Sequence, residues 1–401
     1  WEAASGGGAS TGETYVLLKN ATGGASNSGE NTVAGYNAGA SINDASRNSY
    51  YGFEAGNSST SANYNQAFGA QCLKASTTGG YNCAFGKEAL QTLTTGTKNL
   101  ALGINVLQSC VTGERNTAAG YEALQALTGS DATAFGFQTL KANTTGADNT
   151  AFGAYAADAV TTGSQNVVMG RNAFSAATGG HRNVIIGKDC CDSGDPNDAI
   201  VIGVDAGRAM TGDKNIAIGG KASESLTSGN ANIAIGYEAL AAATTSTEHI
   251  AIGYRAGYNK TTGDRIFAIG HEAGSAVTTG HENMFVGDNS GTSITTGTGN
   301  CFVGRRTGGV QRAGSNYNTI IGQEAGASGS GSISNNVLIG YYAGKEVEGD
   351  NNICIGSQAG NNIEGGANNT VIGNSAAASS ATINNEITLG NSSIATLRCQ
   401  V

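Results

Sequence analysis

The sequence predicts an all-β fold, a β-solenoid or β-roll built from about 22 repeats of roughly 17 residues. Three observations support it: a five-residue phrase recurs along the chain, a glycine ends each phrase, and large side chains are too few to fill a thick core. The repeats span residues 31–390. We therefore expect stacked coils with a thin, repeated core rather than separate globular domains.

The phrase consists of an asparagine, three mostly apolar residues and a glycine, as in Asn215 to Gly219. If the phrase is a strand, its side chains alternate between two faces: Ile216 and Ile218 face one side, and Asn215 and Ala217 face the other. Both sides are then apolar or small, as expected where one side fills the coil and the other packs against a second sheet or a neighbouring chain. The phrase predicts short stacked strands and self-association.

The asparagine and the glycine are the candidate structural residues of each repeat. Asparagines stacked on their copies can form an amide ladder, and glycine allows the chain to reverse with positive φ. The predicted ladder residues are Asn82, Asn99, Asn116, Asn149, Asn215, Asn232, Gly86, Gly103, Gly153, Gly219 and Gly236. These glycines follow the repeat rather than the strand-loop-helix context of a phosphate-binding loop, so we predict a structural role for them.

The segment after each phrase is ambiguous. The stretch from Glu88 to Leu93 fits one helical turn or a short irregular strand, and copies with glycine, such as Ala206-Gly207, favour the strand because glycine weakens a short helix. A Thr-Thr-Gly turn, as at Thr94 to Gly96, then precedes the next phrase. One coil per inter-strand distance of about 4.8 Å predicts a rod about 105 Å long.

Composition excludes several functions. The chain has 63 glycines, one proline, 13% charged residues and a net charge of −9. Such a chain lacks the basic surface that tracks phosphates, so we expect no nucleic-acid partner. No apolar stretch of about 18 residues is available for membrane insertion. No nucleophile-base order or metal-ligand spacing stands out, so we expect neither an enzyme nor a cofactor.

A few residues could still carry chemistry. Asp192, Asp195 and Asp198 cluster in an irregular loop around the only proline, which we expect to protrude as a solvated turn; a weak cation site or acidic groove is the alternative. Most of the eight cysteines fall on small or apolar template positions, which favours buried thiols over bridges. The histidines lie in different repeats, so surface or ladder positions are expected. Exposed tyrosines after the repeat glycine could contact carbohydrate or protein, or merely cover the next coil: Tyr36, Tyr121, Tyr237, Tyr254 and Tyr341.

The phrase, with a small residue three places on, resembles the β-roll repeat of trimeric autotransporter adhesin heads, although those repeats are shorter. The longer unit with Thr-Thr-Gly turns is more similar to repeats of bacteriophage and marine-virus tail fibres. This resemblance covers the chain from about Asn31 to Gly390. It implies a homotrimeric rod located on a virion tail or another extracellular surface.

The stretch from Asn384 to Val401 resembles the lead into the endosialidase-type intramolecular chaperone of phage tail fibres. In that family the chaperone trimerises the fibre and then cuts itself off; its Ser-Asp cleavage motif is absent here. The resemblance implies a C-terminal segment at 391–401 leading toward a removed chaperone, while residues 1–30 form a cap or continue an upstream domain.

These observations favour a structural and adhesive protein: the shaft or receptor-binding segment of a viral tail fibre, whose partners are its own copies and a cell-surface glycan or protein. A non-viral extracellular adhesin or filament subunit is the alternative. A glycan-depolymerising tail spike is less favoured, and it predicts an acidic groove assembled from several coils.

Overall fold

A computed structural model describes residues 30–309, 312–394 and 396 of the chain. These residues fall into two compact units, one ending at Gly179 and the other beginning at Gly180. All regular structure in them is β, with one three-residue strand per turn. The sequence-based expectation of an all-β repeat of roughly 17 residues is confirmed. Of the predicted terminal segments, 1–30 is described only at residue 30, and 391–401 only at 391–394 and 396.

Unit 1 contains nine parallel strands. They are β1 (Thr32–Ala34), β2 (Ser49–Tyr51), β3 (Gln66–Phe68), β4 (Cys83–Phe85), β5 (Leu100–Leu102), β6 (Thr117–Ala119), β7 (Thr133–Phe135), β8 (Thr150–Phe152) and β9 (Val167–Met169). Each strand pairs with the next in the chain, so that Cys83 lies beside Leu100 and Thr117 beside Thr133. Equivalent repeat positions therefore stack in register along the unit.

Unit 2 contains thirteen parallel strands. They are β10 (Val184–Ile186), β11 (Ile200–Ile202), β12 (Ile216–Ile218), β13 (Ile233–Ile235), β14 (Ile250–Ile252), β15 (Phe267–Ile269), β16 (Met284–Val286), β17 (Cys301–Val303), β18 (Thr319–Ile321), β19 (Val337–Ile339), β20 (Ile353–Ile355), β21 (Thr370–Ile372) and β22 (Ile387–Leu389). The same in-register pairing holds, as between Ile216 and Ile233. Both units are thus parallel β-solenoids.

The interior of a turn is lined by the asparagine and the middle strand residue, together with residues three, four and seven places after the repeat glycine. In the turn of β4 these residues are Asn82, Ala84, Ala89, Leu90 and Leu93, all 0–1% exposed. The small residue that follows the glycine by three places packs against this core. Since a turn is only one layer of side chains thick, its apolar surface is buried mainly by the turns above and below.

The segment after each glycine is neither a strand nor a helical turn, so the strand expected there is wrong. It is a succession of turns in which the second and fourth residues have positive φ, for example Glu88 at 60° and Leu90 at 52°. Because of this alternation, the N–H groups of these two residues point in opposite directions. Glu88 donates to the Ala70 carbonyl of the preceding turn at 2.9 Å, and Leu90 to Val106 of the following turn at 3.0 Å. These backbone N–H groups thereby find hydrogen-bond acceptors without a second sheet.

Candidate interaction surfaces

The outward side of the strands is an apolar face in unit 2. We call this the strand face: the first and third residues of β10–β22. It contains no charged residue, and only Thr319 and Thr370 are polar. Ile200, Ile321 and Ile355 expose 36–37% of their surface although each lies beside two neighbouring strands. The alternation predicted from the phrase is confirmed, since the middle residue is buried in β10–β21, as in β12, and the flanking residues reach the surface.

The corresponding positions of unit 1 are mixed in character. The first strand residue is often polar, as in Ser49, Gln66 and Thr117, whereas the third is frequently aromatic. Phe68 stacks on Phe85 with ring centroids 4.6 Å apart and an interplanar angle of 2°. The rings therefore share their faces with each other and present their edges outward.

The asparagines at the start of the phrase form amide ladders, which are interrupted where the position is Ala132, Ala199, His249 or Ile266. Asn99 donates its Nδ2 to the Gly113 carbonyl at 2.8 Å, and its Oδ1 accepts the backbone N–H of Asn116 at 3.0 Å. In unit 2, Asn215 and Asn232 repeat the second bond at 2.9 Å. The six asparagines selected from the sequence are 0–2% exposed. The bonds of Asn99, and that between Asn215 and Asn232, reach into an adjacent turn, so loss of one amide leaves buried groups without a partner.

The repeat glycines are held by two constraints. Gly86, Gly103, Gly153, Gly219 and Gly236 have φ between 128° and 134°. A Cβ at any of them would lie closer than 3.0 Å to the carbonyl oxygen of the equivalent glycine in the next turn. The obstacle is backbone and cannot rotate away, so only glycine fits these positions.

The five tyrosines selected from the sequence are all exposed, by 41–65%. Four of them, Tyr36, Tyr121, Tyr237 and Tyr254, stack on a ring of a neighbouring turn, whereas Tyr341 contacts the adjacent Tyr342. Tyr254 lies between Tyr237 and His271, with centroid distances of 5.9 and 5.1 Å and nearly parallel planes. Both faces of the Tyr254 ring are therefore covered by its neighbours, and its edge is what a ligand meets.

The acidic loop follows the solenoid path, so the predicted protrusion is wrong. Cys191 donates its N–H to the Ala206 carbonyl at 3.0 Å, as corner residues of regular turns do. Asp198 binds Arg182 through both oxygens at 2.6 and 2.9 Å, and this pairing lowers the pKa of Asp198. Asp192 lies 3.5 Å from Arg208 Nε. Asp192, Asp195 and Asp198 do not converge: within the described ranges no group of three or more His, Cys, Asp or Glu residues is placed to hold a metal ion.

The seven described cysteines are free thiols, and five of them are buried: Cys72, Cys110, Cys190, Cys191 and Cys354. Burial raises the pKa of Cys72 to about 12 and that of Cys110 to about 11. Such thiols behave as small core residues, as their repeat positions indicate. Cys399 lies outside the described residues.

Three buried ionisable groups interrupt the apolar and asparagine rows. His249 takes a ladder position, where its Nδ1 accepts the N–H of Ile266 at 3.1 Å; burial and the nearby Lys260 charge lower its pKa to about 4. Lys260 is buried, donates to the carbonyls of Thr262 and Gly280, and has a pKa lowered by burial to about 8. Sequence reasoning expected His249 at a ladder or surface position but overlooked Lys260, although it falls on a core position of the template.

Arg312 is the third of these groups and is also fully buried. Its Nε donates to the Gly326 carbonyl at 3.1 Å and its Nη2 to Val347 at 2.9 Å. Burial lowers its pKa to about 10. Carbonyl oxygens of later turns therefore replace a carboxylate as the partners of this guanidinium.

A groove of about 350 Å³ opens at the corner of the turns that contain β16–β19. We call it the corner groove. Its polar lining residues are Asn289, Thr292, Arg306, Glu324, Ser328 and Lys345, and its apolar lining is Gly309 and Ala327. None of these is a strand residue. No sequence motif marks the groove. It forms where Gly309 and Ala327 are small, not where a recurring set of functional groups comes together.

No protein-family model matches the chain, and no curated protein is similar to it. In the part of the chain that the structure describes, no helix is long and apolar enough to cross a membrane. The strand face and the corner groove are therefore the features of the molecule that indicate a function.

Proposed function

We propose that this chain is the shaft or receptor-contacting segment of a homotrimeric extended fibre, most consistent with a viral tail fibre that reaches a host surface. The observation that carries the proposal is the uninterrupted, uncharged strand face of unit 2. Monomeric proteins rarely expose contiguous apolar surface of more than a few hundred Å². A face of this length is expected to be covered by other copies of the chain.

The area of the strand face supports this argument. An aliphatic side chain presents about 60–120 Å² of apolar surface, the area that a transfer free energy of about 1.5–3 kcal/mol implies at about 25 cal/mol per Å². If roughly a third of that stays exposed at two positions of each strand, thirteen strands offer on the order of 500–1,000 Å², comparable with about 800 Å² per partner in a standard interface. Because the face consists of equivalent rows in register, three copies around a common axis would bury it along the length of the unit.

The role that follows is mechanical and adhesive. Stacked turns provide stiffness, burial of the strand face provides cohesion between copies, and the outward corners remain free for contact with a receptor. The resemblance of the repeat to tail-fibre repeats supports placing such a rod on a virion.

Light scattering of the native chain, with negative-stain images of the same sample, tests the proposal. We expect three times the chain mass on slender particles. Ile235→Asp should dissociate the assembly by placing a charge in the strand face, whereas Thr245→Asp, which adds the same charge at an exposed turn, should not. A wild-type monomer would refute the proposal.

A further inference from the structure

We propose that the corner groove of unit 2 binds a single sugar residue that bears a carboxylate. This inference deepens the proposed adhesive function, because it assigns that function a ligand class and a site. It depends on the fibre role only for where the sugar would be encountered, since the groove is formed within one chain.

The groove lies where two successive members of one row of residues, Gly309 and Ala327, both lack a long side chain. In unit 1 the fifth residue after the repeat glycine is repeatedly glutamine, and these side chains cross the corner: Gln108 Nε2 donates to Glu88 Oε2 at 2.7 Å, and Gln125 Nε2 to Gln108 Oε1 at 3.1 Å. In unit 2 the same positions are Gly309 and Ala327. The corner there is open over two successive turns and closed at the ends by Thr292 and Lys345.

Two cations border this opening without an acidic partner. Most neighbouring arginines are paired, such as Arg305, whose Nε lies 3.3 Å from Asp288, and Arg255, which lies 3.1 Å from Glu238. Within the described residues, Arg306 and Lys345 form no salt bridge; the Lys345 Nζ lies 4.4 Å from the centroid of the Tyr342 ring. Two unpaired cations that line one groove can bind an anion by charge-assisted hydrogen bonds.

The remaining lining defines what carries that anion. Asn289, Thr292 and Ser328 are neutral hydrogen-bonding side chains, suited to hydroxyl groups. Glu324 adds a carboxylate that can accept a hydrogen bond from a sugar hydroxyl. With Arg306 and Lys345 positive and Glu324 negative, the lining carries one net positive charge. A monoanionic carboxylate matches that charge, whereas a dianionic phosphate would meet added repulsion from Glu324. The volume of about 350 Å³ lies within the range of small-ligand sites and suits one sugar ring.

Titration of the full chain with glucuronate, methyl glucoside and inorganic phosphate, followed by calorimetry and ligand-observed NMR, tests this inference. We expect saturable binding of glucuronate alone. Arg306→Gln and Lys345→Gln should each weaken it at least about tenfold, the loss typical of one charge-assisted bond. Both changes insert residues that this repeat carries at the same positions, as at Gln138 and Gln108, so the fold is preserved.

A groove-filling variant provides the decisive comparison. Ala327→Gln restores the side chain found in unit 1 and should abolish binding, while Ser175→Gln, at the equivalent position of unit 1, should leave binding unchanged. Absence of saturable glucuronate binding, equal binding of phosphate or methyl glucoside, or binding that survives Ala327→Gln would overturn the inference. Light scattering on the same samples separates the two proposals, because a trimer that binds no glucuronate disproves only the groove.

Discussion

In the turns of β4–β7 in unit 1 and those of β16–β19 in unit 2, the same interior is filled from opposite sides of the turn. In the first set the middle strand residue is alanine and the corner residue four places after the glycine is leucine, as in the pair Ala118 and Leu124. In the second set the strand residue is larger and the corner residue is glycine, as in Phe285 with Gly291 and Leu338 with Gly344. The quantity held constant is the combined volume of the pair.

Distances in unit 2 show how closely the two positions are coupled. A Cβ at Gly344 would lie 2.6 Å from Leu338 Cδ2, and a Cβ at Gly291 would overlap the Phe285 ring. The corner has positive φ in both regions, 52° at Leu124 and 65° at Gly291. Leucine bears the steric cost of that conformation and glycine the entropic cost of ordering, each on the order of 1 kcal/mol. In these two sets of turns the size of the corner residue therefore complements the size of the strand residue across the turn.

Removing volume from the first arrangement should have the largest effect. Leu124→Ala leaves a cavity beside Ala118 and should reduce stability by about 3 kcal/mol, within the range for buried leucine truncation. Hydrogen exchange should show the loss in the amides of the turn of β6 and its neighbours, because a solenoid turn contacts only adjacent turns. A loss below 1 kcal/mol would mean that neighbouring turns collapse into the space and that the paired-volume account is wrong.

Adding volume to the second arrangement should be somewhat less costly. Gly291→Leu overfills the turn against Phe285 and should destabilise it by about 2 kcal/mol. The double variant Phe285→Ala with Gly291→Leu recreates the unit 1 pair and should recover most of the loss in a denaturant-melting cycle. Additive effects of the two substitutions would show that the positions are independent.

A pH titration compares the ladder of unit 2, in which His249 replaces one asparagine, with the same ladder after that asparagine is restored. His249 has a pKa near 4 when folded, against 6.5 for the free group, so the unfolded chain binds its proton first as the pH falls. Stability should therefore decrease between about pH 6.5 and 4, by about 2 kcal/mol at pH 5. Monitoring the exchange of Ile266, whose N–H bonds to His249, localises the effect. In His249→Asn, which restores the ladder residue, this part of the pH dependence should vanish; its persistence would assign it to other groups.

Ion pairs at exposed corners should matter least. Arg115 binds both oxygens of Asp131 at 2.6 and 2.8 Å, yet about half of the arginine side chain is exposed. Arg115→Gln should change stability far less than Leu124→Ala does, and less still in high salt, because water and ions screen an exposed pair. The equivalent substitution Arg182→Gln, opposite Asp198, should behave alike in unit 2. A loss comparable to that of Leu124→Ala in either unit would show that charge, rather than core volume, holds adjacent turns together.

The sequence was sufficient for the repeat, the sidedness of the strands and the asparagine stack, because each depends on one residue type at a fixed position. The corner was mispredicted as a strand, since its geometry is an alternation of φ signs that side-chain hydrophobicity does not encode. One signal was present: Leu90 and Gly207 occupy the same template position, and a site shared by glycine and leucine can indicate positive φ. The groove escaped notice because the relevant feature is small residues at 309 and 327, in a chain where small residues are common.

The amide ladder also implies an order in which the turns are completed during synthesis. Asn82 donates to Gly96 and accepts from Asn99, both of which belong to the turn that follows it. During synthesis from the N-terminus, each turn therefore leaves the ribosome incomplete and is finished only by the next 17 or so residues. Wherever the ladder residue is asparagine, the last turn of the growing chain carries one unfinished amide layer, however many turns precede it. Translation and folding would thus advance at the same pace, one turn apart.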